Sequence, residues 1–353
     1  MSEPLAKIQR SLPSVAANFE RFSQDTAGRS LLYSILSKLI ADDSDLLQLA
    51  SHAQAGQPAP NLLFGAVQHR LFQNPEEPLA SFYKSLTSSP RPPKGAFILF
   101  KEFCKRHQSE LVDMLRSRRV QTNEVGRCSY LILAFDEIFG RANHPIALIE
   151  VGTSAGLNLN WDRYAYIFDP SGEAGDQPSP VVIRSKLRGK GIHHFGTNQP
   201  EVFSRVGVDL RIVDVNQADE ASWLLALVWP EQDERRRNLM AAMDLWTQNP
   251  HTLIEADANL VLRELIDQAP IGIPVVVFNT HTLYQLPPEK REVFSRTIRR
   301  AAKRRPVYHL SAEWLGTSTP ELWLHTYAPE STREERLALV DQHGEWIEWQ
   351  DEG

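Results

Sequence analysis

The chain has 353 residues, 42% of them apolar and 23% charged, enough to bury a substantial core in two domains or in one large one. The 38 Lys and Arg against 44 Asp and Glu give a formal charge of −6, which removes a general electrostatic reason to bind nucleic acid. Two cysteines, Cys104 and Cys128, make neither a disulfide framework nor a four-cysteine zinc site. No apolar run approaches the ~20 residues of a membrane-spanning helix, and the N-terminal MSEPLAKIQRSLPS lacks the apolar stretch of a signal peptide. The expectation is a cytoplasmic protein with a small-molecule substrate, no membrane and no strong nucleic-acid signal, its oligomeric state left open.

In chain order, the first 120 residues place apolar side chains at helical spacing, around Val15 to Phe22, Ser30 to Ile40, Ser44 to Ala53, Leu62 to Leu71, Gly95 to His107 and Leu111 to Arg116. Prolines punctuate them at Pro58 and Pro60, at Pro75 and Pro78, and at Pro90, Pro92 and Pro93. This predicts an all-helical cap domain over residues 1–120. A further apolar helix over Val125 to Phe139 leads to His144-Pro145, where the pattern changes.

From there, short apolar runs alternate with helical segments: Ile146 to Val151, Arg205 to Leu210, Thr252 to Ala256, Pro274 to Phe278 and Pro306 to Leu310. That alternation predicts an α/β domain over residues 121–353, a mostly parallel sheet covered on both faces. Glu321 to Tyr327 and Glu345 to Trp349 alternate with period two and read as antiparallel edge strands. Residues 169–200 read as a loop and small hairpin inserted before the second parallel strand.

The most informative junction is Leu148-Ile-Glu150-Val-Gly152-Thr-Ser154-Ala-Gly156-Leu-Asn158. A strand ending in an acid, a glycine turn and a helix starting near Gly156 form a place where backbone N–H groups face a ligand at the sheet's C-terminal edge. Glycine permits the close approach that a Cβ would block. In nucleotide-binding α/β folds, the acid at such a strand end orients ribose or the amino-acid part of a cofactor. A tight strand-to-helix connection with no ligand has the same pattern. Gly152 to Gly156 also matches Gly-x-Ser-x-Gly, the nucleophile elbow of α/β-hydrolases, with Asp214 or Asp257 and then His281 or His309 completing the Ser, Asp, His order. Against an esterase, the elbow normally follows several strands, and here helices precede it.

The runs Gln121 to Cys128, Glu150 to Tyr164, Arg205 to Asp209 and Trp223 to Pro230 resemble the bacterial family known as domain of unknown function 2332. The resemblance extends from Arg29-Ser-Leu-Leu-Tyr33 to Ser311-Ala-Glu-Trp314. The sheet half is in turn similar to class I S-adenosylmethionine-dependent methyltransferases, whose first motif is a strand, an acid and a Gly-x-Gly-x-Gly turn, with Ser154 here replacing the middle glycine. The resemblance implies a Rossmann-like, methyltransferase-type domain with S-adenosylmethionine as cofactor. A protein of the same fold that binds a nucleotide-like metabolite without turnover is the non-catalytic alternative.

Under that resemblance, Glu150, Gly152, Ser154 and Gly156 line the cofactor turn. Asp209 is the candidate ribose acid, although it falls far beyond the ~20 residues usual after the glycine turn in dinucleotide folds, a delay the insertion explains. Asp257 stands where such proteins often place an acid for the adenine amino group, and reads equally as the N-cap of a helix over Asn259 to Asp267. Asn279 and His281, after the fourth strand, are the candidate catalytic residues, the imidazole as a general base and the amide as a holder of a substrate amine or carbonyl. Asn123 and Arg127 precede the first strand in a cluster too polar for core; the guanidinium suits the carboxylate of a methionine moiety, while Thr122 or Asn123 also reads as a helix cap. Asp162 and Arg163 read as interdomain pairing residues. No metal site is expected, because His193-His194 lacks a third ligand at metal spacing.

Overall fold

The computed structural model describes residues 10–189, 201–328 and 331–350. In chain order the helices are α1 (Leu12–Thr26), α2 (Leu31–Ile40), α3 (Ser44–Ala50), α4 (Ala59–Gln73), α5 (Ala96–Arg106), α6 (Gln108–Ser117), α7 (Cys128–Ala142), α8 (Ala218–Ala226), α9 (Asp233–Gln248), α10 (Ala258–Gln268) and α11 (Pro288–Ala301). The strands are β1 (Ile146–Val151), β2 (Ala165–Asp169), β3 (Gly172–Gly175), β4 (Val182–Arg188), β5 (Val202–Asp209), β6 (Thr252–Glu255), β7 (Val275–Thr280), β8 (Val307–Glu313), β9 (Glu321–Ala328), β10 (Ser331–Val340) and β11 (Trp346–Trp349). Among the described residues no helix is long and apolar enough to cross a membrane.

The chain divides into two compact units, one of residues Met1–Thr122 with Gln217–Arg236, the other of Asn123–Asn216 with Arg237–Gly353. The helical unit starts its helices on polar caps: Ser30 accepts from the Tyr33 N–H, and Asp43 accepts from Asp45 and Leu46 while pairing with Lys101 at 2.6 Å. Its core is aromatic, with Tyr33 stacked on Phe64 at 4.2 Å between ring centroids.

The segment Gln217–Arg236, which sequence placed in the sheet domain, packs with the helices instead. Gly65 on α4 makes room for it, since a Cβ there would lie 3.0 Å from Leu227 and 3.3 Å from Trp223. Gln68 donates to the carbonyls of Ala226 and Val228 at 2.9 and 2.7 Å, and the Glu231 carboxylate accepts from Ser30 Oγ and the Leu32 N–H.

The second unit is α/β, with an eleven-stranded, mostly parallel sheet in the order β3-β2-β4-β11-β10-β9-β8-β7-β1-β5-β6. β6, β5, β1, β7 and β8 form a continuous parallel block. β1 and β7 are buried at every position, which is why each begins with four consecutive apolar residues before its polar end. On one face Ala147, Ile149, Val275 and Val277 pack with Leu262 and Ile266 of α10 and Phe294 and Ile298 of α11. On the other, Phe135 of α7 meets Phe278 edge-on at 5.3 Å. Each such fully buried side chain contributes roughly 1.5–3 kcal/mol.

Three expectations are corrected. The helix after Gly156 is a kinked 3-10 turn, Leu157–Arg163, whose alternating Leu-Asn-Leu-Asn gives no apolar stripe at helical period. The segment read as an inserted hairpin over 169–200 contributes strands to the main sheet, with β4 parallel to both β2 and β11; its part over 190–200 and the His193-His194 pair lie outside the described residues. β9 and β11 are consequently interior strands, and β3 and β6 are the edges.

Candidate functional site

The parallel block places β5 and β6 to one side of β1, and β7 and β8 to the other. The C-terminal ends of β1 and β7 therefore flank a topological switch point, where connections leave in opposite directions and open a crevice. Most of the candidate residues proposed from sequence lie at these ends.

At the end of β1, Glu150 is 1% exposed, and its carboxylate accepts from Thr153 Oγ1 at 2.6 Å and Asn158 Nδ2 at 3.2 Å. Burial pushes its carboxyl up to about 8 against the pull of those two hydrogen bonds, and the neighbouring charge of Asp209 adds to the push. Gly152 and Gly156 both take positive φ, 79° and 77°. A Cβ on Gly152 would overlap the Thr282 side chain, and one on Gly156 would lie 2.7 Å from the Trp246 ring. Close packing thus requires both glycines. Between them Ser154 holds φ at 55°, its N–H donating to Asp209 Oδ2 at 2.9 Å, while its buried Oγ has no hydrogen-bond partner among the described residues. Asp209 at the end of β5 also accepts from the Arg211 N–H.

The cluster before β1 clamps this turn from behind. Asn123 Oδ1 accepts from the Leu157 N–H at 2.9 Å. The cap of the short 3-10 turn Val125–Arg127 is Glu124, accepting from Gly126, where sequence had suggested Thr122 or Asn123. Arg127 donates through Nε to the Gln342 carbonyl and through Nη1 to Thr280 O and Oγ1, which ties the β10–β11 turn to the end of β7. Asp162 pairs with Arg205 of β5 within the same unit, so it is not an interdomain residue.

At the end of β7, the Asn279 amide is fully engaged by Ser311, Glu313 and His309 at 3.1, 2.6 and 2.8 Å. It holds the sheet edge and has little left for a substrate. His281 is different: φ is 54°, it is 5% exposed, both ring nitrogens lack hydrogen-bond partners among the described residues, and the ring lies on Trp314 at 4.2 Å. Burial, together with the charges of Arg127 and His343, pushes its pKa down to about 2, so the imidazole is neutral across the physiological range.

The residue that sequence reasoning passed over is Glu313, which closes β8. Its carboxylate accepts from the N–H groups of Thr282, Leu283 and Tyr284 and from Asn279 Nδ2, fixing the turn that carries His281. An acid at the end of a strand predicted to be buried was the available signal. Asp257 is the N-cap of α10, paired with Lys290 at 2.9 Å; none of its hydrogen bonds reaches another candidate residue. The serine–histidine pair of a nucleophile elbow is not assembled, since among the described residues neither Ser154 Oγ nor either nitrogen of His281 makes a hydrogen bond, and the His309 Nε2 faces Asn279.

No curated protein and no solved structure matches the chain. A family model covers residues 16–349, and by that match the chain belongs to the family described as an uncharacterized protein conserved in bacteria, DUF2332.

Proposed function

We propose that this protein is an S-adenosylmethionine-dependent methyltransferase of Rossmann-like fold, its helical unit serving as a cap and its acceptor a small molecule. One observation carries the reading: the glycine turn after β1 runs into a 3-10 turn and stands beside two carboxyl groups, Glu150 and Asp209. A dinucleotide's pyrophosphate favours the opposite arrangement, with an α-helix N-terminus and no acid beside the phosphates. Ribose hydroxyls and a sulfonium fit acids well, since a carboxylate oxygen that already accepts one hydrogen bond keeps a second lone pair.

The parallel order β6-β5-β1-β7-β8 supports the same reading, because it puts Asp209 at the end of the strand next to β1 and Asp257 just after the strand beyond. Asp209 would hold the ribose, Asp257 the adenine amino group, and the buried Ser154 Oγ, with its hydrogen bonds unmade, would turn to the cofactor. The cofactor, when bound, supplies a methyl group on an electrophilic sulfur. The chain's part is alignment and exclusion of water, and the neutral His281 ring accepts a hydrogen bond from the acceptor's O–H or N–H.

Calorimetric titration with S-adenosylmethionine and S-adenosylhomocysteine tests this. Binding of both is expected, and Asp209→Asn should weaken it by about 1–3 kcal/mol. Absence of binding to either compound overturns the proposal. The positive φ of Ser154 within Gly-x-Ser-x-Gly favours a second reading, ester hydrolysis, which requires His281 to approach the hydroxyl. Hydrolysis of a generic aryl ester that vanishes in Ser154→Ala would establish it, whereas cofactor binding retained in that variant supports methyl transfer.

A further inference from the structure

The turn after β7 carries more aromatic surface than its packing uses. Trp314, directly after β8 and half-buried, lies against the His281 ring at 4.2 Å on one side and meets Tyr284 edge-on at 5.4 Å on the other. Tyr284 is 46% exposed although its backbone is pinned by Glu313. Three rings thus form a shelf at the mouth of the crevice, and the shelf is rigid because the carboxylate behind it accepts from three successive N–H groups.

The electrostatics of the shelf are one-sided. Arg127 is fixed to the Gln342 carbonyl through Nε and to Thr280, the residue preceding His281, through Nη1; its Nη2 makes no hydrogen bond among the described residues. Its charge acts on both His281 and Tyr284. The nearby acids are buried and already engaged: Glu313 accepts from four N–H groups, Glu150 from Thr153 and Asn158, and Glu124 faces His343. An aromatic cage for an ammonium group needs the reverse, open ring faces with no fixed cation beside them.

We infer that the acceptor recognised at this edge is a planar aromatic carboxylate, its ring on Trp314 and Tyr284 and its anionic group held by Arg127 Nη2 and a ring nitrogen of His281. A guanidinium meets a carboxylate with directed N–H groups, and the unmade hydrogen bonds of a buried imidazole supply a neutral donor without a second charge. This assignment rests on the methyl-transfer reading for the word acceptor, but the binding it describes is measurable alone.

The full chain is titrated calorimetrically with naphthoate, decalin carboxylate, naphthamide and naphthylmethylammonium, and separately with S-adenosylhomocysteine. Naphthoate is expected to bind roughly tenfold or more tightly than each of the other three probes. Trp314→Leu and Tyr284→Ser are each expected to remove most of that preference. Tyr284→Ser is the safer variant, because the ring it removes is the exposed one, and a melting curve like that of the parent confirms its fold. Equal binding of naphthoate and the ammonium probe, or a preference unchanged in folded Tyr284→Ser, overturns the inference. Binding of S-adenosylhomocysteine without selectivity for naphthoate defeats only this assignment. Selective naphthoate binding without S-adenosylhomocysteine binding upholds the aromatic-acid site and defeats methyl transfer.

Discussion

The turn leaving β1 and the turn leaving β7 both pass through a non-glycine residue at positive φ, Ser154 at 55° and His281 at 54°, and both are secured by a buried glutamate. The means differ. Glu313 accepts from three consecutive backbone N–H groups and one side-chain amide, so its turn is wired to the main chain. Glu150 accepts only from the side chains of Thr153 and Asn158, with the charge of Asp209 nearby, and its carboxyl is driven toward protonation. The β7 turn is accordingly a fixed platform, whereas the state of the β1 turn follows pH. Strained residues on adjacent strands at a switch point also mark where the fold spends stability on something other than folding.

The sharpest way to break the comparison is Glu313→Ala, which removes the acceptor of four N–H donors, those of Leu283 and Asn279 in fully buried hydrogen bonds. A loss of about 3–5 kcal/mol is expected in urea unfolding, with Glu313→Gln losing less because one oxygen remains to accept. Equal stability of the Ala variant would show that the turn does not depend on the carboxylate.

Next in size is the pH dependence of the β1 turn. Glu150 has a folded-state pKa of about 8 against 4.5 for the free group, so the folded chain keeps a proton that the unfolded chain releases. Its contribution is full below about pH 4.5 and is lost as pH rises to about 8, a change of up to roughly 4 kcal/mol. His281 and His309 act in the opposite direction: burial lowers them from 6.5 to about 2 and about 3, so the unfolded chain takes up protons first and stability falls as pH drops below 6.5. From these three groups stability peaks near pH 6.5. Melting temperatures measured between neutral and mildly alkaline pH should decline for the parent and stay level for Glu150→Gln. Parallel declines would refute the contrast.

Gly152→Ala should cost about 2–3 kcal/mol, because the new Cβ meets Thr282 and the residue keeps φ at 79°. Adding Thr282→Gly relieves the overlap but not the backbone preference, and a double-mutant cycle by thermal unfolding separates the two; no coupling would mean that the strands yield. The smallest effect belongs to Ser154. Its Oγ bonds to nothing described, so Ser154→Ala should change stability by less than about 0.5 kcal/mol, and Ser154→Gly should add up to about 1 kcal/mol by removing the positive-φ penalty. A large loss in Ser154→Ala would reveal a structural hydroxyl.

Much of the framework was legible where burial imposes a simple pattern. β1 and β7 are apolar except near their C-terminal ends because both faces are covered, and the helices of the first unit show their buried stripe at helical spacing. β10 was missed because its first four residues, Ser331 to Glu334, are exposed and polar, leaving only the short apolar run Leu337 to Val340. β9 and β11 were misjudged as edges because β10, which pairs with both, and β4, which pairs with β11, were not read as strands of the main sheet. At the site, glycine spacing disclosed the β1 turn, but the saturation of Asn279 and the role of Glu313 depend on partners about 30 residues away.

The helical unit is interrupted in the chain, its last part being Gln217–Arg236. A ribosome that has released only the first 122 residues has delivered α1 to α6 without the chain that Gly65 makes room for, without acceptors for the Gln68 amide and without the carboxylate that receives the Leu32 N–H. The bundle therefore waits, incomplete, while β1 to β5 are made. Although its synthesis begins first, the helical unit cannot finish folding until Arg236 has been made, and a nascent chain halted before then exposes apolar surface to chaperones and proteases.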